Sequence, residues 1–306
     1  MTLPALKKTF YSNGKLFLMG EYTVLDGALA FAVPTKSGQS LEVAGIADNI
    51  VKWKSLDADG AVWLEVEVSI DDIISNNQSA ASAEANTLIK ILHEAHTANP
   101  KFLTSGFEVT TKLTFPRNWG LGTSSTLINN VAQWFGIDAY ALLANTFGGS
   151  GYDIACAQND TPILYRIENG AVEVTPVSFN PDFIDNIWFV YLNQKQNSRD
   201  AIAAYKQRQF DKHMLVSRIN ILVTQLATAQ DMQSFASALE KQEALLGGVL
   251  GIAPVQEKLF PDFKGIVKSL GAWGGDFVMA VTEENPVGYF KEKGYETVVA
   301  WREMIL

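Results

Sequence analysis

The pattern of hydrophobic and polar positions changes character along the chain, from strand-like in the first part to helical in the last. Runs rich in β-branched and aromatic residues, separated by Gly, Asp and Asn, are typical of strands. They cover residues 15–25, 29–34, 39–46, 49–57 and 61–69. Residues 106–115 alternate apolar and polar side chains, which predicts a further strand with one buried face. The first part of the chain is therefore expected to form a mainly antiparallel sheet.

Two helices are predicted from apolar residues at helical spacing. Residues 83–98 form the first, with Ser82 as the N-cap. The second follows the stretch at residues 120–126 and ends at Gly136, after which Asp138 is placed to cap another helix.

From about residue 198 to residue 246 the pattern is helical almost throughout. Asp231 is the expected N-cap of the last of these helices, and the pair Gly247 and Gly248 its expected end. The shift from strand-rich to helix-rich composition predicts two α+β lobes, with domains at residues 1–180 and 181–306.

Composition narrows the class of protein. The 306 residues are 47% hydrophobic and 19% charged, which predicts a folded chain with a substantial core. No apolar run is long enough to cross a bilayer, and the N-terminal residues lack the apolar middle and the cleavage site of a signal peptide. We therefore expect a cytoplasmic protein without a membrane partner.

Charge and metal-ligating residues exclude further classes. The formal net charge of −9 disfavours non-specific binding of nucleic acid, which requires a basic surface. The single Cys156 rules out an internal disulfide, and three histidines make a His-rich metal site improbable.

The stretch GLGTSST, residues 120–126, lies between a predicted strand and a predicted helix. The unpaired amides and partial positive charge of a helix N-terminus favour an anion, and preceding glycines allow close approach to the backbone. Phosphate is the expected ligand, although Gly-rich turns and Ser or Thr caps also occur for structural reasons alone. The stretch lacks the Gly-Lys-Ser/Thr of a Walker loop, and Ser125 replaces the third glycine of a dinucleotide fingerprint.

Three segments in order, SNGKLFLMGEYTVLDG, PRNWGLGTSST and KSLGAWGGD, together resemble the GHMP kinase superfamily, and GGSGYDIA adds a fourth match. The superfamily is named after galactokinase, homoserine kinase, mevalonate kinase and phosphomevalonate kinase. The resemblance extends over almost the whole chain and implies a two-lobed α+β fold with a nucleotide cleft between the lobes. It also implies that ATP and Mg²⁺ are the cofactors.

The resemblance assigns roles to particular residues. The nucleotide would be bound by two glycine-rich segments. The nucleotide-binding residues are Gly120, Leu121, Gly122, Thr123, Ser124 and Ser125 in the first segment and Gly271, Ala272 and Gly274 in the second. Ser124 would also be a Mg²⁺ ligand. Asp153 would accept the proton of the substrate hydroxyl or orient that hydroxyl, and Lys15 would pair with Asp153.

Glu21, Tyr22 and Ser150 are the residues that the resemblance places at the acceptor. Lys195 and Arg199 are candidate cations for an acceptor carboxylate or phosphate. With these assignments, the expected function is transfer of the γ-phosphoryl group of ATP to a mevalonate-like or phosphomevalonate-like acceptor.

The sequence departs from the mevalonate kinase pattern at three places. Tyr22 replaces a histidine, and Trp273 replaces a glycine, where the ring would either pack on the ligand or narrow the cleft. The helix at residues 139–147 lacks the glutamate that provides a second Mg²⁺ ligand. Two alternatives remain open at this stage: a nucleotide-binding regulator without turnover, and a decarboxylase of the diphosphomevalonate type.

Overall fold

The computed structural model describes residues 7–80, 82–196 and 198–306, and side chains at 198 and 199 are outside that description. The chain forms two compact units. The described residues of unit 1 lie within 7–14, 37–117 and 121–158. Those of unit 2 lie within 15–36, 118–120 and 159–306. The units are thus interleaved in sequence, whereas the division expected at residue 180 is continuous and stays a prediction.

Unit 1 combines antiparallel strands with helices. Its elements, in chain order, are β1 (Lys8–Met19) and β2 (Ala30–Ile46), which both continue into unit 2, then β3 (Ile50–Leu56), β4 (Val62–Ser69), α1 (Ile70–Ser75), α2 (Ala83–Ala98), β5 (Gly106–Leu113), α3 (Thr123–Phe135), α4 (Ala139–Thr146) and α5 (Tyr152–Gln158). β3 pairs antiparallel with β4 and parallel with β5, and β5 pairs antiparallel with residues 39–46 of β2. The mainly antiparallel sheet is therefore confirmed.

The core of unit 1 is built from alternate strand residues and from one face of each helix. Trp53 and Val109 are fully buried on neighbouring strands, and Leu92, Val131 and Phe135 are buried on α2 and α3. Burial of side chains of this size contributes about 1.5–3 kcal/mol each. This packing holds α3 and its N-cap, Gly122, in place.

Unit 2 contains a second, four-stranded sheet. Its elements are β6 (Ile163–Glu168), β7 (Ala171–Pro176), β8 (Ile187–Tyr191), α6 (Ser198–Lys206), α7 (Lys212–Ala227), α8 (Met232–Leu250), α9 (Val255–Leu259), β9 (Ile266–Ser269), β10 (Phe277–Val281), α10 (Val287–Glu292), β11 (Val298–Ala300) and α11 (Trp301–Met304). The sheet has the order β11-β8-β10-β9, with antiparallel pairs throughout. β6 pairs antiparallel with β7 and with residues 30–32 of β2.

Most of the predicted helix boundaries are confirmed because they depend on local hydrogen bonds. The Ser82 hydroxyl accepts from Ala85 N–H at 3.1 Å, and the carboxylates of Asp138 and Asp231 also cap their helices. Gly136 ends α3 in the left-handed conformation at φ 64°. These positions need no tertiary contact to act as start and stop signals.

Two local predictions are wrong. α8 continues past Gly247 and Gly248 to Leu250 and ends at Gly251, where φ is 69°. A Cβ at Gly247 would lie 2.8 Å from the Ile252 carbonyl oxygen, so this glycine permits close packing and does not end the helix. The first predicted strand, residues 15–25, stops at Met19.

Gly20 explains where β1 ends. Its φ is 99°, and a Cβ there would lie 2.7 Å from the carbonyl oxygen of Leu29. The chain turns at this close contact and continues as a short 3₁₀ helix, Thr23–Asp26. The turn leaves Tyr22 at φ 60°, a conformation that is rare for a residue with a side chain.

Among the described residues, no helix is long and apolar enough to cross a membrane.

Candidate functional site

The N-terminus of α3 differs from those of α2, α7 and α8 because no side chain caps it. Its N-cap is Gly122, at φ 95°, which has no side chain to donate or accept. The first hydrogen bond of the helix runs from Thr126 N–H to Gly122 O at 2.9 Å, so the amides of residues 123–125 precede the helical ladder. The Ser124 side chain is exposed at this end. The arrangement provides backbone donors and a hydroxyl group to an anionic ligand.

The side chains of this segment do not all point in the same direction. Ser125 is 2% exposed, and its hydroxyl donates to Gly122 O at 2.9 Å. Leu121 is fully buried, and Thr123 is half-buried. Leu121 and Ser125 therefore offer only backbone groups to a ligand. The expected nucleotide contacts of Leu121, Thr123 and Ser125 stay predictions.

Asp153 lies in the first turn of α5, in the same unit as α3. It is half-buried, and its Oδ1 accepts from Ile154 N–H at 3.1 Å. Ser150 is half-buried in the preceding loop, which contains glycines at positive φ. The nearby Tyr140 has a pKa raised to about 12, mainly by burial, with the charges of Cys156, Asp138 and Asp153 contributing.

The other predicted residues lie in unit 2, where three segments distant in sequence meet. The Lys15 ammonium group donates to the carbonyl oxygen of Gly120 at 2.8 Å. Gly120 itself packs against Asp276, because a Cβ added to Gly120 would lie 2.4 Å from the Asp276 Cγ. Thus residues from the first, second and third glycine-containing segments contact one another. The pairing of Lys15 with Asp153 stays a prediction.

The loop at residues 271–276 is wound tightly, with positive φ at Gly271, Gly274 and Asp276. Gln196 holds the loop at two points. Its amide nitrogen Nε2 donates to Trp273 O at 2.9 Å, and its backbone N–H donates to Asp276 Oδ1 at 3.1 Å. Ala272 and Gly271 are half-buried, and Gly274 is exposed.

The sequence predicts that the Trp273 ring either packs on the ligand or narrows the cleft. In the structure the ring packs into the interior of unit 2. The ring is 4% exposed and belongs to a cluster with Tyr22, Tyr205, Leu246 and Leu250, here called the Trp273 cluster. Burial raises the pKa of Tyr22 to about 12, against the lowering effect of a backbone hydrogen bond to Trp273. The two residues that depart from the family pattern therefore contact each other.

Glu21 is also buried, at 1% exposure, beneath this region. Its Oε1 accepts from the Lys268 ammonium group at 2.5 Å, and its Oε2 accepts from Gln242 at 2.9 Å. Burial raises the pKa of Glu21 to about 7, against the lowering effect of Lys268. The side chains of Glu21 and Tyr22 both pack inside unit 2. Their expected contact with an acceptor stays a prediction.

A second carboxylate, Glu243, shares the Lys268 charge. Glu243 accepts from the Ser269 hydroxyl at 3.0 Å and from Val255 N–H at 3.2 Å. Its pKa is raised by burial, and Lys268 lowers it in part. Glu21, Glu243 and Lys268 are here called the buried charge cluster. Sequence reasoning assigned no role to Lys268, although a lysine in an apolar strand segment is a recognisable signal of a buried ion pair.

Residues that suit a nucleotide are present, whereas few suit a metal ion. Within the described ranges, no three His, Cys, Asp or Glu side chains gather so that they could hold a metal. α4 carries no acidic residue. The exposed hydroxyl of Ser124 is a hard oxygen donor, and Mg²⁺ commonly keeps several waters and binds substrate phosphates in addition to one or two protein oxygens. This donor set therefore fits a Mg²⁺ ion that the phosphates themselves hold.

Comparison with solved structures identifies the fold. No protein-family model matches the chain, and no curated protein matches it significantly. The structure is similar to mevalonate kinase from Methanococcus jannaschii, with a TM-score of 0.71, 16% identity and 96% of each chain covered. The chain therefore has the fold of the GHMP kinases, as the motifs predicted.

Two further structures support the same fold. Phosphomevalonate kinase from Streptococcus pneumoniae, in complex with phosphomevalonate and AMPPNP, aligns with a TM-score of 0.68 at 16% identity, covering 98% of each chain. Galactokinase from Lactococcus lactis, in complex with galactose, aligns with a TM-score of 0.70 at 14% identity, covering 96% of this chain and 92% of its own. These structures are of kinases named after different substrates, so the fold alone leaves the acceptor open.

Proposed function

We propose that this protein is an ATP-dependent kinase that transfers the γ-phosphoryl group to a hydroxyl or phosphate group of a small molecule. The observation that carries the proposal is the uncapped N-terminus of α3, preceded by Gly120 and Gly122, in a chain with the GHMP kinase fold. A glycine-rich turn followed by free helical amides is a recurrent phosphate-binding arrangement.

In this proposal the backbone of residues 120–125 binds the phosphates. The amides of residues 123–125 donate to phosphate oxygens, and Gly122 permits close approach because it has no side chain. Ser124 contributes its hydroxyl to Mg²⁺, which neutralises negative charge on the phosphates. Oriented donors of this kind each contribute about 3 kcal/mol to stabilising a transition state in acyl-transfer enzymes.

Asp153 would orient the acceptor hydroxyl and accept its proton. Its position in the first turn of α5 supports this role, because the half-buried carboxylate is held by the helix that begins there. Lys15 would stabilise the negative charge that develops during transfer. In a loose phosphoryl-transfer transition state, positioning and charge stabilisation account for most of the catalysis.

We propose an acceptor of the mevalonate or phosphomevalonate type, and retain sugars for comparison. The structural neighbours in complex with R-mevalonate, phosphomevalonate and galactose support small polyhydroxy or phosphorylated acceptors as the class to test.

The test is formation of ADP from MgATP with mevalonate, phosphomevalonate, homoserine and galactose in separate reactions. One acceptor is expected to stimulate ADP formation well above the water background. Asp153→Asn should lower that rate about a hundredfold or more and leave nucleotide affinity nearly unchanged. Asp185→Asn, which alters a surface ion pair with Arg302, is the matched control and should keep full activity.

The outcomes separate the alternatives. Nucleotide binding without turnover on any acceptor would favour a regulator, and release of CO₂ would favour a decarboxylase. Unchanged turnover in Asp153→Asn would remove Asp153 from the mechanism.

A further inference from the structure

The carboxylate of Asp276 lies directly against Gly120, the first glycine of the proposed phosphate-binding segment. A Cβ built on Gly120 would come within 2.4 Å of Asp276 Cγ and Oδ2 and within 2.7 Å of Oδ1. Asp276 itself is held at φ 51°, with its backbone N–H donating to Gln194 O at 2.6 Å. The position of this negative charge is therefore set by the backbone.

Positive charges face Asp276 from two other segments. Lys15, whose ammonium group donates to Gly120 O at 2.8 Å, and Lys195 both lower the pKa of Asp276. Burial has the larger effect, so the net shift of its pKa is upward. The cations thus compensate only part of the cost of placing a carboxylate there. A phosphate group brought to Gly120 therefore meets the Asp276 carboxylate as well as these two cations.

We propose that Asp276 makes nucleotide binding dependent on a divalent cation, because its carboxylate repels the triphosphate of metal-free ATP more than that of the Mg²⁺ complex. The inference rests on the proposed function. Metal-free ATP carries roughly twice the negative charge of its Mg²⁺ complex, and Coulomb repulsion scales with that charge. Two additional negative charges that interact with one carboxylate through a partly solvated site correspond to about a tenfold loss of affinity.

This role differs from mere support of the loop. Asn at position 276 keeps an oxygen that can accept from the Gln196 N–H, and Asn tolerates positive φ well. Asp276→Asn therefore removes the charge with little change of shape. If Asp276 only supported the loop at residues 271–276, the substitution would affect metal-free and metal-bound nucleotide alike.

Calorimetric titration with AMPPNP tests the proposal, once with EDTA and once with excess Mg²⁺ at matched ionic strength. In Asp276→Asn, affinity for the metal-free analogue should rise about tenfold, whereas affinity with Mg²⁺ should change less than about twofold. Asp276→Gly, also neutral and suited to φ 51° but without the acceptor for the Gln196 N–H, should show the same preferential gain for the metal-free analogue if the charge alone is responsible. Asp185→Asn, in the same unit but in a surface ion pair with Arg302, should leave both affinities unchanged. Added KCl should reduce the difference between the two conditions.

Each outcome is decisive. An equal loss of affinity in both conditions would show that Asp276 is only a structural support and would overturn the proposal. An unchanged ratio of the two affinities would overturn it as well, even if the unaltered protein forms ADP normally. Absence of any binding by the unaltered protein would instead contradict the proposed function and remove the basis of the inference. Circular dichroism of each variant confirms that the fold is retained.

Discussion

Substitution of Lys268 by Met should destabilise the protein in a strongly pH-dependent way. Lys268 is fully buried, and its ammonium group donates to Glu21 at 2.5 Å and to the Ser269 carbonyl oxygen at 2.6 Å. Removing it leaves Glu21 and Glu243 buried without the cation of the cluster. Breaking a buried ion pair in this manner typically costs about 3–5 kcal/mol, because the remaining charge is not solvated.

The sign of the pH dependence follows from Glu21. Its pKa in the folded state is raised from 4.5 to about 7, so the folded protein binds a proton more tightly than the unfolded chain. The stability associated with that proton is fully present below about pH 4.5 and is lost as the pH rises through 7. A shift of this size corresponds to roughly 3 kcal/mol. Lys268 opposes the shift, so its removal raises the pKa of Glu21 further.

We therefore expect Lys268→Met to lower the free energy of unfolding by about 3–5 kcal/mol at pH 8 and by about 1 kcal/mol or less at pH 5.5. At the lower pH, protonated Glu21 needs no cation. Urea unfolding followed by circular dichroism at both pH values measures the difference.

Two controls sharpen this measurement. Lys293→Met, which removes a surface partner of Asp262, should cost no more than about 1 kcal/mol at either pH. The double variant Glu21→Gln/Lys268→Met should recover part of the loss at pH 8, because both charges are then absent. Equal destabilisation at the two pH values, with no recovery in the double variant, would refute the reasoning.

Further predictions concern the glycine segments and the Trp273 cluster. Gly120→Ala should lower the free energy of unfolding by about 1–3 kcal/mol more than Gly170→Ala. Both sites have positive φ, but only a Cβ at position 120 meets Asp276. Equal losses of the two variants in chemical denaturation would contradict the close packing. Trp273→Ala should cost about 3–5 kcal/mol in the same assay. Trp273→Phe should lower the free energy of unfolding by about 1 kcal/mol or less. Among the described residues, the buried indole N–H has no hydrogen-bond partner that the substitution would remove. A loss as large as that of Trp273→Ala would contradict this reasoning.

Local features of this protein could be predicted well from the sequence. Ser82, Asp138 and Asp231 cap helices as expected, and Gly136 ends α3, because each acts through hydrogen bonds within a few residues. The order of the glycine-containing segments predicted the GHMP kinase fold, which the similar structures confirm despite identities of only 14–17%.

Features that depend on packing between distant segments could not be predicted in this way. Gly20 and Gly247 are needed where backbone approaches backbone, and a glycine alone does not reveal whether it turns the chain or permits a close contact. The inward packing of Trp273 against Tyr22 likewise depends on α6 and α8, which provide the rest of the Trp273 cluster.

The sequence by itself determined most of the elements, many of their ends and the class of fold, because short-range hydrogen bonding and hydrophobic periodicity are encoded within each segment. Only the tertiary structure decided which charges meet. Glu21 and Lys268 are 247 positions apart in the chain, and Asp276 reaches Gly120 across more than half of its length. Such pairs form because folding removes these side chains from water and leaves each with the partner that the packing provides.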